Sequence, residues 1–223
     1  MKSVIITGAG SGLGKELALL FARQGFHIIL TGRTLDKLQS VEKEIHEAGG
    51  SAQSFTLDIA KLQEISSLMT QIQSHELFGL INNAGVGHFG PFERLGEQEI
   101  QEMLQTNVLG TIYMTQAVLP YFKEKNGGLL MNIISTAGLK GKVNESVYAA
   151  SKFAVRGFTE SLQKELEDTD IKVKAVYMGG MDTSFWDESD HIKNKSRLRS
   201  PEEVAVMILD NLNEESIVIE SKK

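Results

Sequence analysis

Short runs of β-branched and apolar residues alternate along the chain with longer stretches whose apolar positions recur every three or four residues. The short runs, at 3–7, 27–31, 51–56, 78–82, 128–134, 171–177 and 216–219, predict seven strands. The longer stretches, at 13–24, 35–48, 61–75, 97–123 and 146–167, predict helices between them. Strands of near-continuous apolar content are buried on both faces, which requires a parallel sheet covered by helices on each side. Strict alternation with right-handed crossovers gives an α/β fold, a doubly wound seven-stranded parallel sheet. One further helix opens at Pro201-Glu202-Glu203, with Ser200 as its cap and two acids in its first turn. The stretch 179–200 has no periodicity, and a patternless segment of that length predicts a functional loop, here a substrate lid.

Composition narrows the picture. The 223 residues suit one large domain, and three prolines with no Gly/Ser-rich tract offer no linker, so 1–223 reads as a single domain. A net charge of -6 lacks the basic footprint that nucleic-acid binding needs, so no nucleic-acid partner is expected. Zero cysteines exclude disulfides, cysteine-ligated metals and a thiol nucleophile, and fit a reducing cytoplasm. The apolar start at 4–6 is too short for a signal peptide, and no run approaches the roughly 20 apolar residues of a membrane span. Histidines 27, 46, 75, 88 and 191 form no His-Glu-x-x-His or similar pattern, so no metal is expected. A cytoplasmic protein working without a membrane is the expectation.

Candidate chemistry begins where the first strand meets the first helix, at Thr7-Gly8-Ala9-Gly10-Ser11-Gly12-Leu13-Gly14. Glycines there permit a tight turn and close approach of backbone to a pyrophosphate, and the helix N-terminus offers N–H groups to phosphates. That position between strand and helix points to dinucleotide binding; Lys15 has no following hydroxyl, which disfavours a P-loop. An acid closing the second strand would select NAD through the adenosine ribose. Here the strand closes on Gly32-Arg33-Thr34, with no acid before Asp36. Arg33 suits a 2′-phosphate, so NADP(H) is expected over NAD(H).

Tyr148 and Lys152 stand four residues apart in a helical pattern and therefore share a face. A free phenol has a pKa of about 10, and a neighbouring ammonium favours the phenolate and draws that value toward neutrality. Ser135 and the pair Asn82-Asn83 close the fifth and fourth strands, at the sheet edge where doubly wound folds bind ligands. Asn107 lies inside a predicted helix, where asparagine has poor propensity.

Taken together, Thr-Gly-x-x-x-Gly-x-Gly at 7–14, Asn-Asn-Ala-Gly at 82–85, Ser135, and Tyr-x-x-x-Lys at 148–152 resemble the short-chain dehydrogenase/reductase family. The resemblance runs from Thr7 to the last strand and implies a Rossmann-type fold. It implies that Tyr148 is the general acid or base, that Lys152 binds the nicotinamide ribose and tunes the phenol, and that Ser135 orients the reacting oxygen. Asn107 would hold a water linking Lys152 to solvent. Gly8, Gly10, Ser11, Gly12, Leu13 and Gly14 would bind the cofactor, with Arg33 and Thr34 at the 2′ position. Asp58 and Ile59 would contact adenine, Asn83 and Gly85 would support the adenosine side, and Met181 and Thr183 would hold the carboxamide.

Two features depart from the family pattern. Met178-Gly179-Gly180 replaces the usual Pro-Gly, which predicts a looser turn, and the chain stops at Lys223, which predicts an open or poorly selective pocket. Phe185 and Trp186 are candidates to cover an apolar substrate or to anchor the loop. His88 reads as a loop histidine near the cleft. Lys193, Lys195, Arg197 and Arg199 read as a solvated basic face after Asp187, Glu188 and Asp190. The expected activity is NADP(H)-dependent oxidoreduction of a small or medium carbonyl or alcohol. A 3-oxoacyl carrier-protein reductase and a non-catalytic NADP(H)-sensing regulator are the alternatives. The family's pairing of its two long helices predicts a homodimer or homotetramer.

Overall fold

The computed structural model of the chain describes residues 1–186, 191 and 194–222. Seven strands form one sheet: β1 (Lys2–Thr7), β2 (His27–Gly32), β3 (Ser51–Thr56), β4 (Glu76–Asn82), β5 (Gly128–Ile133), β6 (Ile171–Met178) and β7 (Ser216–Ile219). Every neighbouring pair is parallel, in the order β3-β2-β1-β4-β5-β6-β7. Period-2 alternation sorts the side chains. Val4, Ile6, Ile28 and Leu30 face α1 (Gly12–Arg23), α2 (Leu35–Glu47) and α7 (Pro201–Asp210). Ile5, Ile29, Leu80 and Leu130 face α3 (Leu62–Gln71), α5 (Thr111–Lys125) and α6 (Ser146–Glu165). The fold is thus the Rossmann-type sheet expected, with apolar cores on both faces. Ser200 caps α7 by accepting from the Glu203 N–H at 3.1 Å.

The helix predicted over 97–123 is interrupted. After α4 (Glu97–Met103) the chain widens into a π-helical segment, Leu104–Gly110, before α5 begins. Two residues account for it. Asn107 turns its amide to the Val86 backbone and Ser151, and Gly110 admits Ile59 so closely that an added Cβ would lie 2.6 Å from it. A π-bulge of this kind commonly marks a functional site.

Around the expected lid, Met181 pairs with Arg199 in a single parallel bridge, and short helical turns lie at Ser184–Trp186 and Lys195–Arg197. Asp187, Glu188, Asp190 and Lys193 lie outside the described residues. Arg197 is exposed as expected, whereas Arg199 is half-buried and does not stand on a solvated face. Their Nε atoms donate to the carbonyls of Lys222 (3.2 Å) and Glu220 (2.8 Å), clamping the segment after β7. The looser turn at Met178 is not found either. Met178 pairs with Ile219, the Gly179 N–H donates to the Ile219 carbonyl at 2.8 Å, and Ser221 packs against Gly179. Strand pairing replaces the stiffness that a proline would have provided. Among the described residues no helix is long and apolar enough to cross a membrane.

Beneath the site runs a buried polar ladder. Asn82 Nδ2 donates to Thr115 Oγ1 (3.0 Å) and Asn132 Oδ1 (2.9 Å), and Asn132 Nδ2 donates to Thr159 Oγ1 (2.8 Å). It ties the two central strands to α5 and α6. Leaving a buried donor unsatisfied costs about 1–3 kcal/mol. Asn132→Ala should therefore lower stability by roughly that amount, measured by urea denaturation, while a remote surface substitution such as Lys43→Ala stays within about 0.5 kcal/mol.

Candidate active site

The carboxyl ends of the strands open onto a cavity of about 720 Å³. Its wall takes Gly8, Ser11, Gly12 and Leu13 from the first turn, Arg33 after β2, Asp58 and Ile59 after β3, and Gly85 after β4. Ser135, Tyr148 and Lys152 lie on the same wall, as do Met181, Thr183, Phe185 and Trp186. Residues 135 positions into the chain and beyond therefore share one surface with the glycine-rich turn. Gly8 and Gly12 have φ of 65° and 54°, which side chains rarely adopt. Ser11 precedes α1 without a side-chain cap, and the first turn of α1 contains no acid, so its N–H groups and dipole face the cavity unopposed.

Four expected residues stand behind this wall instead of on it. Gly14 packs against the turn, where an added Cβ would meet the Gly8 carbonyl oxygen at 2.3 Å and Asn83 Nδ2 at 2.5 Å. Gly10 packs on Lys37, and Thr34 is the residue from which α2 starts. Asn107 is buried: its Oδ1 accepts from Val86 N–H (2.8 Å), and its Nδ2 donates to the Val86 carbonyl (2.9 Å) and Ser151 Oγ (3.0 Å). Asn83, on the wall, donates from Nδ2 to the carbonyls of Thr7 (2.9 Å) and Gly8 (3.2 Å).

Residues 2–194 match the short chain dehydrogenase family. Bovine (Bos taurus) retinol dehydrogenase 8 is 37% identical over 188 residues, which cover 82% of this chain and 60% of that protein. Diacetyl reductase [(S)-acetoin forming] of Staphylococcus epidermidis is 36% identical over 192 residues, covering 85% of this chain and 75% of its own. A solved metagenomic short-chain oxidoreductase in complex with NADP superposes with a TM-score of 0.85 at 25% identity, covering 100% of this chain and 98% of that one. The chain belongs to the short-chain dehydrogenase/reductase family.

Within this short-chain dehydrogenase/reductase, electrostatics at the Tyr148–Lys152 pair differ from the expectation. Both side chains come from the first two turns of α6 and both are buried. Lys152 Nζ lies 5.6 Å from the centre of the Tyr148 ring and 3.5 Å from the Ile133 carbonyl. Burial pushes the phenol well above its ordinary value; a hydrogen bond with Ser135 pulls it down, and the Glu145 charge adds to the rise. Burial also lowers the ammonium to about 8. The ammonium meets the ring face, so desolvation, not the lysine charge, dominates the phenol in this geometry.

Sequence reasoning missed Glu145, Phe89 and Glu102. Glu145 is buried on the cavity wall, three residues before Tyr148, and its Oε1 meets His191 Nε2 at 2.8 Å. Phe89 stacks on Trp186 and His191 and meets Tyr148 edge-on at 5.2 Å. The aromatic loop residues Phe185 and Trp186 do both things expected of them: they line the cavity, and the Trp186 indole anchors to the Met181 carbonyl at 3.0 Å. One-turn spacing from Tyr148 was a usable signal for Glu145. Glu102 had none. His88 sits off the cavity wall, its Nε2 2.9 Å from Glu102 Oε2.

Lys152 therefore loads the cofactor-free protein with a buried charge that no acid among the described residues pairs with. Its folded pKa lies below the unfolded 10.5, so the unfolded chain binds more protons between about 8 and 10.5, and stability rises with pH across that window. Below about 8 the full penalty, on the order of 3 kcal/mol, is present. Lys152→Met should raise the melting temperature of the cofactor-free protein at pH 7, and that advantage should fade as pH rises from about 8 toward 10.5. Paired thermal scans of both proteins across pH would check it; an advantage independent of pH would contradict the buried-charge account.

Proposed function

We propose that this short-chain dehydrogenase/reductase transfers a hydride between NADP(H) and a small or medium carbonyl or alcohol. The observation that carries this reading is the convergence of Ser135, Tyr148 and Lys152 on the cavity that also receives the glycine-rich turn and Arg33. The cofactor fits the residues present. Positive-φ glycines and the uncapped, acid-free start of α1 suit the pyrophosphate, and Arg33 suits a 2′-phosphate. Asp58 and Ile59 would border adenine, Asn83 and Gly85 would support the adenosine side, and Met181 and Thr183 would hold the carboxamide. A nicotinamide supplies the hydride chemistry when bound.

The chain's own residues handle the proton and the orientation. Tyr148 Oη would give its proton to the carbonyl oxygen in reduction and take it back in oxidation. Its raised pKa keeps the phenol protonated in the free enzyme, the state needed for a donor. Ser135 Oγ would hydrogen-bond the same oxygen and fix its position. Lys152 Nζ would hold the ribose hydroxyls, and an opposite-charge or hydroxyl partner there would relieve its desolvation. Asn107, whose side chain holds Val86 and Ser151 in place, would support a proton path from Lys152. The walls of Phe185 and Trp186 favour an apolar body on the substrate. A complete proton-transfer set is unnecessary in a sensor, which weighs against the regulatory alternative.

Tyr148→Phe removes the donor and keeps the ring packing against Phe89. Turnover with NADPH and a responsive member of a ketone, aldehyde, quinone and acyl-thioester panel should fall by at least 10²-fold, with cofactor affinity changed little. Ser135→Ala should do the same more mildly, and Lys152→Ala should impair both rate and binding. Near-normal turnover in Tyr148→Phe would refute the mechanism, and an acyl thioester as best substrate would select the carrier-protein reading.

Assembly is proposed on a separate observation. Leu104, Leu109 and Phe153, on the π-helical segment and α6, are 39–42% exposed large apolar side chains. Pairing of these helices across a two-fold axis would cover them. Light scattering at micromolar concentration should give at least a dimer, and Phe153→Glu should shift the protein toward monomer.

A further inference from the structure

Arg33 does not stand free at the mouth of the cavity. Its Nη1 lies 3.2 Å from Oε1 of Glu102, a residue of α4 nearly seventy positions away. Glu102 is held from its other side as well, since its Oε2 meets His88 Nε2 at 2.9 Å. His88 in turn is fixed by its backbone N–H, which donates to Met103 Sδ, and by Glu99, whose Oε1 is 3.6 Å from Nδ1. The carboxylate is thus placed by a small network and is not simply the nearest acid on a mobile side chain. The hydrogen bond from His88, and then that from Arg33, hold it below the usual carboxylate range, so it is charged at neutral pH. Thr106, four residues further along, lines the cavity together with Arg33. The acid, itself outside the cavity wall, therefore meets the guanidinium that would face a ribose 2′ substituent.

Resting on the NADP(H) reading above, we infer that Glu102 is a specificity-determining residue that competes with the 2′-phosphate for the Arg33 guanidinium. The strand end lacks the acid that would select against that phosphate, and the tertiary fold supplies one from α4. A phosphate arriving at Arg33 must either displace Glu102 or lie beside it, and both weaken its binding through lost pairing or like-charge repulsion. A cofactor with a plain 2′-hydroxyl brings no such charge. Glu102 therefore narrows the preference for NADPH over NADH instead of creating it. Both side chains are substantially exposed, 63% for Arg33 and 39% for Glu102, which limits the effect to the scale of a surface ion pair.

The test is fluorescence titration of NADPH and NADH against the unmodified protein, Glu102→Gln, Arg33→Ala and the double variant, at low salt. Glu102→Gln should tighten NADPH by about 1.5- to 5-fold and leave NADH unchanged, and the gain should shrink at high salt. In the Arg33→Ala background the same substitution should give a clearly smaller gain for NADPH, because only like-charge repulsion remains to be relieved. Equal gains for both cofactors, no gain for NADPH, or an undiminished gain without Arg33 would each overturn the inference. Arg33→Ala separates the two levels. If it lowers the NADPH-to-NADH preference while Glu102→Gln does nothing, this inference alone fails; if it leaves the preference untouched, the NADP(H) reading fails and takes this one with it.

Discussion

A knot of hydrogen bonds between Thr7 and Asn83 holds together the place on which the rest of the site depends. The Thr7 hydroxyl oxygen accepts from the backbone N–H groups of Asn83 and Ala84, both at 3.0 Å. Asn83 returns its amide to the Thr7 and Gly8 carbonyls. These two residues end β1 and follow β4, the neighbouring strands between which the order of the sheet reverses direction. Parallel strands splay their loops apart at such a point and leave a crevice. The knot fixes the crevice's width, and Gly14 closes it from behind by leaving no room for a Cβ. Nothing on the far wall, neither Ser135 nor Tyr148, would face the glycine-rich turn at a defined distance without it.

On the other side of the crevice the fold accepts a penalty. Lys152 is buried with one carbonyl at 3.5 Å, and the phenol beside it is buried too. A core selected only for stability would place an apolar residue there. The surrounding packing keeps the charge in place: Asn107 anchors the segment behind it, Gly85 leaves space that a Cβ would take 3.5 Å from Nζ, and the Asn82–Asn132–Thr159 ladder binds α6 to the sheet. The π-helical segment belongs to the same arrangement. It spends regular helix geometry to aim the Asn107 amide at Val86 and Ser151 simultaneously. Destabilising features thus cluster around Tyr148 and Lys152, and the polar network around them is what makes the cluster rigid.

Much of this was legible in the chain. Strand and helix periods, 2 and 3.6, are set by backbone geometry and by which side chains must leave water, so the seven strands and the two-sided core follow from local pattern. The glycines of the first turn and the four-residue spacing of Tyr148 and Lys152 are likewise local facts, which is why the wall they form could be anticipated. The same holds for the serine cap of α7. Even the poor helix propensity of Asn107 signalled an irregularity, although not its form.

What only the tertiary structure decided are relations between residues far apart in sequence, and quantities that depend on burial. No local pattern brings Glu102 to Arg33, Phe89 to Tyr148, or Arg197 to the Lys222 carbonyl. Each pairing exists because sheet order sets which loops share an edge. The phenol's raised pKa is of the same kind. Four-residue spacing puts the ammonium on the right helix face, but the distance of its charge from the ring and the loss of water around both groups are properties of the packed cavity. Solvation is a sum over everything nearby in space, and a sequence orders its residues along one dimension only.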